Sequence, residues 1–309
     1  MSAPARAVFI GYDQSEDKAY QVCRTSMLRH SASPLHVTPL RERALRHIGL
    51  YERPWEVRGK QKYDVRDGKP FSTDFAFTRF LVPALMQHEG WALFCDLDFL
   101  FTADLAGLFD HADDRYAALV VMHDHTPTET EKMGGKVQTT YLRKNWSSLV
   151  LWNCGHPSNK ALTPQAVNTE SGQWLHAFSW LDDAEIGGLP KTWNWLSGVS
   201  DKLPKDEVPK GIHYTLGGPW FLECQTVPYA SLWLEEEAGR YAPGNGEWDH
   251  GKPTLPGFYF ARDDHWTDGE PILVQVVGHN DGECMWIKGG APEAITPGFR
   301  WQGPIKVPA

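Results

Sequence analysis

What the chain has little of narrows the field first. No apolar run approaches the ~18 residues of a membrane-spanning helix, and none is visible in the opening MSAPARAVFIGYDQ that would serve as the core of a secretory leader. Cysteine is sparse. Cys23, Cys95, Cys154, Cys224 and Cys284 are scattered, odd in number and never paired as C-x-x-C. That pattern excludes a disulfide framework and a structural zinc site, and it fits inert buried thiols in a reducing, cytoplasmic setting. Positive charge is also short. Thirty Lys and Arg against 39 Asp and Glu leave a net charge of −9, with both signs interspersed and no basic arm or face. Nucleic acid is therefore not an expected partner. An anionic ligand would need a local device, such as a metal ion or a helix N-terminus. Internal repeats and low-complexity tracts are absent as well.

What is there reads as one large α/β unit with an appendage. AVFIGYD, residues 7–13, is a buried strand, and SEDKAYQVCRTSMLRHS is a helix with Ser15 as its N-cap. Ala19, Val22, Cys23, Ser26 and Met27 recur on that helix at helical spacing. LHVTPL is a second strand, and strand–helix–strand favours a parallel sheet. Glu52 to Pro70 reads as a polar loop. STDFAFTRFLVPALMQH reads as a helix capped by Ser72, with Pro83 as a kink or stop. WALFCD, YAALVVM and SSLVLWNC are further strands, and YASLWLEEEAGRY is a surface helix. PILVQVVGH and ECMWIKG read as a late hairpin or as edge strands. The Gly/Pro-rich APGNGEWDHGKP sets a boundary near residue 240.

One stretch carries chemistry: WALFCDLDFLF, Trp91 to Phe101. Two carboxylates, Asp96 and Asp98, interrupt an apolar run, where unpartnered charge is costly. They follow a strand, and ligands of open α/β sheets bind beyond the carboxyl ends of strands. In extended chain, residues two apart point to the same side, so Leu97 faces the core while both carboxylates reach one ligand. Paired hard oxygens suit Mg²⁺ or Mn²⁺, which in turn can bridge diphosphate oxygens. Two surface aspartates in a turn are the plain alternative.

Several stretches together carry a resemblance. FAFTRFLVPALMQHEGWALFCDLDFLFTADLAGLF, Phe75 to Phe109, resembles the core of the retaining GT-A glycosyltransferases of the glycogenin and lipopolysaccharide galactosyltransferase type. FIGYDQSEDKAYQVCRTSMLRH looks like that family's first strand and helix, and WSSLVLWN like its Asn-Ser-Gly strand. LPKTWNW looks like its Leu-Pro-x-x-Tyr/Trp-Asn turn, and IHYTLGGPW like its late His…Lys-Pro-Trp motif. These pieces run in family order from Val8 to Trp220.

The resemblance implies a GT-A-like (Rossmann-like), mostly parallel α/β sheet flanked by helices, over residues 1–240, as the nucleotide-sugar-binding catalytic domain. Residues 241–309 are then a C-terminal extension without an assigned role. It implies a hexosyltransferase that moves a sugar from a nucleotide-sugar donor, UDP-linked, with retention, to a saccharide, lipid-linked or protein acceptor. The family's metal ligands fall on Asp96, Asp98 and His213. An imidazole among hard oxygens shifts the preference towards Mn²⁺ over Mg²⁺. The nucleotide base falls on Tyr12 and Asp13, and a donor-contacting arginine on Arg79, whose fork of donors can clamp phosphate or sugar oxygens.

The chain also departs from the family. Gly218 stands where the family has a phosphate-binding lysine. Backbone N–H groups of Gly217 and Gly218, or one of Lys60, Lys62 and Lys210, are the replacements left open. Trp146-Ser147-Ser148 stands for Asn-Ser-Gly, and Asp182-Asp183 for the catalytic Asp-Gln pair. The polar segment from Thr126 to Val137 is read as a water-excluding lid. Trp is abundant after Trp146 and suits either a saccharide groove or packing. Two rivals stand beside the transferase. One is a nucleotidyltransferase of sugar phosphates, although GYDQSEDKAY lacks its Gly-rich basic loop. The other is a catalytically silent carbohydrate- or nucleotide-binding protein of the same fold.

Overall fold

The elements open as strand, helix, strand: β1 (Arg6–Tyr12), α1 (Asp17–His30) and β2 (Leu35–Arg41). Next come α2 (Glu42–His47), β3 (Trp55–Arg58), β4 (Gln61–Asp64) and β5 (Pro70–Phe71), then α3 (Val82–Leu85), β6 (Trp91–Cys95) and β7 (Phe99–Phe101). α4 (Ala106–Phe109) and β8 (Ala118–Val120) precede a short antiparallel pair, β9 (Glu131–Lys132) and β10 (Lys136–Val137). β11 (Leu149–Asn153), α5 (Pro164–Thr169), α6 (Gly172–His176), β12 (Ile186–Gly188), β13 (Trp195–Leu196), β14 (Gly211–His213) and α7 (Ala230–Gly239) follow. The structure, a computed structural model, describes residues 6–123, 131–132, 136–137, 143, 145–201, 203 and 207–239, with the strand segments 257–262, 272–278, 284–288, 291–294 and 300–305. Most of the stretch read as a lid lies outside these residues.

The central sheet has the order β12-β8-β11-β6-β1-β2. All of its strands run in one direction except β11, which is antiparallel to both neighbours. The apolar runs explain the arrangement. Strands covered on both faces must be apolar throughout, and Val8, Phe9, Ile10, Ala92, Leu93, Phe94 and Cys95 are all fully buried. α1 covers one face with the stripe expected of it, Ala19, Val22, Cys23, Ser26 and Met27. The mostly parallel α/β fold read from the sequence is therefore the fold observed.

Register decides what reaches the carboxyl edge. Tyr12 pairs with Arg41, and Ile10 with Cys95, so Tyr12, Arg41 and Asp96 all stand at the ends of adjacent strands. A second sheet, β13-β14-β7, grows directly from the Asp96–Asp98 turn. In it His213 pairs with Phe99, and the Tyr214 amide donates to Asp98 O at 3.0 Å. That pairing brings a residue from late in the chain beside Asp98.

Three local expectations need correction. Asp13, not Ser15, provides the cap before α1: its Oδ1 accepts from the Ser15 amide at 3.0 Å and from the Ser15 hydroxyl at 2.6 Å. The long helix expected from Ser72 is instead a turn of 3-10 helix at Thr78–Leu81 running into α3. Pro83 lies in the first turn of α3, where its missing N–H costs nothing. The polar loop from Glu52 to Pro70 is an antiparallel meander, β3-β4-β5. Its anchor is a buried ion pair, Arg53 Nη2 to Asp64 Oδ2 at 2.6 Å with both side chains 1% exposed, rather than an apolar face.

Trp152, Trp193 and Trp233 are fully buried, so these three pack the core rather than line a groove. Cys23, Cys95, Cys154 and Cys224 are buried free thiols, as expected. The late hairpin is β16 (Ile272–Gly278) with β17 (Cys284–Lys288), inside an antiparallel sheet that also holds β15 (Gly257–Arg262), β18 (Ala291–Ala294) and β19 (Arg300–Ile305). Among the described residues no helix is long and apolar enough to cross a membrane.

Candidate metal and donor site

Asp96 leaves the end of β6 with its amide bound to Ser148 O at 2.8 Å. One of its carboxylate oxygens meets Arg79 Nη1 at 2.8 Å. Arg79 is buried, and it is fixed by donating to Phe75 O at 3.3 Å and to Ser147 O at 2.8 Å. The donor-contacting arginine implied by the resemblance thus reaches the site by gripping a carboxylate. Leu97 is buried between the two aspartates, although Leu97 and Asp98 form a turn between β6 and β7 rather than the extended chain expected.

Asp98 Oδ1 lies 3.3 Å from His213 Nε2. The imidazole is buried, stacks on Phe99 at 4.5 Å between ring centroids, and has its Nδ1 3.0 Å from Asn194 Oδ1. One ligand atom from each of Asp96, Asp98 and His213 lies within 4.8 Å of the others. Arg79 balances one of the two carboxylates, and the three groups together still present converging donor atoms to a cation. Two hard oxygens and one nitrogen are a donor set that fits Mn²⁺ or Mg²⁺. The three residues expected to hold a metal are therefore together.

The other expected residues are placed as follows. Tyr12 is buried. Its hydroxyl donates to Asp17 Oδ1 at 2.9 Å, its ring edge meets Tyr20, and the Arg41 guanidinium lies over its face at 3.7 Å. Burial pushes the Tyr12 phenol up to about 12, so it stays neutral. Asp13 spends one oxygen on Ser15 and accepts with the other from the Asp74 amide at 3.3 Å. Gly217 has φ +118, and its N–H is bound within its own turn to Tyr214 O at 2.9 Å. At Gly218 an added Cβ would lie 2.0 Å from Trp220 Cζ3. The family's lysine cannot stand there unless Trp220 moves, and Trp220 is tied to Glu16 by its indole N–H at 3.2 Å.

Among the three lysines left open, Lys62 is nearest to the strand ends. It pairs with Asp74, whose amide holds Asp13. Lys60 is exposed on the β3–β4 turn, and Lys210 lies over Trp193 beyond the far end of β14. Sequence reasoning missed Arg41, although a cation following an apolar strand in a parallel sheet is itself a signal of a ligand edge.

Asp182 and Asp183 are not brought to the metal group. They precede β12, the edge strand, whose first residue pairs with the first residue of β8. Asp182 forms a capping box with Glu185, and Asp183 is 91% exposed and pairs with Arg143, on the approach to β11. Neither belongs to the group of ligand atoms that Asp96, Asp98 and His213 bring together. Nearer to Asp96, the Ser147 hydroxyl lies 2.9 Å from His176 Nδ1, a contact the sequence reading did not anticipate.

No protein-family model matches the chain. Among solved structures it resembles the apo form of the bifunctional glycosyltransferase WbbM, with a TM-score of 0.50 and 16% identity over 76% of this chain. The chain spans only 50% of WbbM's length. It also resembles the galactosyltransferase LgtC in complex with donor and acceptor sugar analogs, with a TM-score of 0.48 and 13% identity, covering 77% of this chain and 98% of that one. Likeness at such identities concerns the fold, which is that of a glycosyltransferase. Among curated proteins, Protein CDI of Arabidopsis thaliana is 50% identical over 231 residues, which is 74% of this chain and 85% of that protein. The chain belongs to the family of Protein CDI.

Proposed function

We propose that this chain is a metal-dependent glycosyltransferase that takes a sugar from a nucleotide-sugar donor, UDP-linked, and transfers it with retention to a saccharide, lipid-linked or protein acceptor. The observation that carries the reading is the convergence of Asp96, Asp98 and His213 at the carboxyl edge of a glycosyltransferase fold. The three would hold Mn²⁺, or Mg²⁺, against the diphosphate. Such an ion, when bound, neutralises charge on the leaving group as the glycosidic bond breaks.

The chain's own residues supply the rest. Arg79 holds the Asp96 carboxylate in place and leaves it little freedom to turn away. The nucleotide lies across the ends of β6, β1 and β2, with its base at Tyr12 and Asp13. Arg41 already covers one face of Tyr12, so the base meets the guanidinium or the ring edge. Residues 1–240 form the catalytic unit, and 241–309 extend it.

A panel of nucleoside diphosphates in thermal-shift assays, each with and without Mn²⁺, tests this, because a ligand of the native state raises apparent stability by mass action. UDP with Mn²⁺ should give the largest rise, and no response to any nucleotide would sink the reading. The second reading, a silent binding protein of the same fold, draws on the absence of Asp182 and Asp183 from the group that Asp96, Asp98 and His213 form. It shares the binding result, so UDP release from UDP-sugars decides between the two.

A further inference from the structure

Three hydrogen bonds run in line from the approach to β11 to the imidazole of the metal group. The Ser148 hydroxyl donates to Asn145 O at 2.6 Å. Its oxygen is then an acceptor, and Asn194 Nδ2 donates to it at 2.9 Å. This fixes which way the carboxamide faces, with nitrogen on Ser148 and oxygen on His213. Asn194 Oδ1 lies 3.0 Å from His213 Nδ1, and a carboxamide oxygen only accepts. A proton therefore sits on Nδ1, and Nε2 is the ring atom turned towards Asp98. Ser148, Asn194 and His213 are all buried, so bulk water does not compete for these bonds. Ser148 acts on the other side of the site too, since its backbone oxygen takes the Asp96 amide at 2.8 Å.

We propose that Asn194 and Ser148 are positioning residues that hold the His213 ring by its Nδ1–H, with Nε2 turned towards the metal group before any cation arrives. The proposal rests on the reading of Asp96, Asp98 and His213 as metal ligands. Without the relay the ring has no acceptor behind it and loses the bond that keeps Nε2 aimed at Asp98, 3.3 Å away. Losing a partner behind a ligating histidine costs about 10–100-fold in metal affinity.

Two measurements on the full chain test the relay. Proton–nitrogen correlation spectra of histidine-labelled protein, free of metal and assigned by the signal lost in His213→Gln, read the tautomer directly. Calorimetry with Mn²⁺ alone reads affinity. The unaltered chain should show Nδ1–H. Asn194→Leu should lose the hydrogen-bonded Nδ1–H signal and bind Mn²⁺ about 10–100-fold more weakly. Asn194→Asp keeps an acceptor and should restore both readings. Ser148→Ala frees the carboxamide to turn, and should weaken the Nδ1–H signal and give a loss at the low end of that range. If Asn194→Leu does not fold, Ser148→Ala and the spectrum of the unaltered chain carry the test. An unprotonated Nδ1 in the unaltered chain, or unchanged Mn²⁺ affinity in folded Asn194→Leu, overturns the relay alone. An unaltered chain that binds no Mn²⁺ overturns the metal reading and the positioning role with it.

Discussion

At the scale of single residues, the two aspartates should fail differently. Asp98→Asn and Asp96→Asn are each expected to abolish Mn²⁺-dependent nucleotide release while circular dichroism stays native. Only Asp96→Asn also strips the buried Arg79 of its counter-charge. It should therefore lose up to about 3–5 kcal/mol in urea unfolding, the scale of an uncompensated buried charge, whereas Asp98→Asn should not. Near-normal turnover in either folded variant would remove the metal assignment. Gly218→Lys should not restore a family-like phosphate contact. It drives a side chain into Trp220 and is expected to cost about 1–3 kcal/mol, with a change in tryptophan fluorescence. A Gly218→Lys protein as stable as the parent would mean that Trp220 yields freely. The carboxylate pair was legible because its two members are neighbours that interrupt an apolar run, although a turn rather than an extended strand brings them to one side. Asn194 and Ser148 were not, because a hydrogen bond between side chains 46 residues apart leaves no periodic trace in the sequence.

Elements were legible where burial is uniform and obscure where polar groups provide the anchor. β1 and β6 announce themselves as unbroken apolar runs, since both faces are covered. The β3-β4-β5 meander does not, because Val57 is exposed and the anchor is Arg53 with Asp64. Arg53→Met should consequently cost about 3–5 kcal/mol, because it leaves Asp64 buried and alone. Arg53→Met with Asp64→Leu should recover much of that loss. Urea titration of both proteins checks it, and a single substitution with no measurable cost would show that other contacts anchor the meander. Asp182 and Asp183 mark the limit of reading motifs in order. Their place in the sequence fits a family pair, while the structure gives them a capping box with Glu185 and an exposed pair with Arg143. Such local partners are set by the assembled fold and are not written in a short motif.

At the scale of the whole molecule, the proposed function asks a chain of net charge −9 to bind a diphosphate. Lysine is barred at position 218, Lys62 is already paired with Asp74, and Arg79 is committed to Asp96. UDP should therefore bind measurably with Mn²⁺ and very weakly with a chelator present. Equal affinity in calorimetry under both conditions would rule out a metal-bridged donor, and tighter binding of GDP than UDP would overturn the choice of base. The reversal of β11 has a different kind of consequence. Because β11 opposes both β8 and β6, the chain leaves the sheet after Val120 and re-enters it at Leu149 on the same rim as Asp96. It is therefore the run-in to β11, not its exit, that delivers Ser147 and Ser148 beside Asp96, where their backbone oxygens take the Arg79 guanidinium and the Asp96 amide. A single strand laid against the grain of its sheet thus turns a connecting segment into the wall that holds the carboxylate.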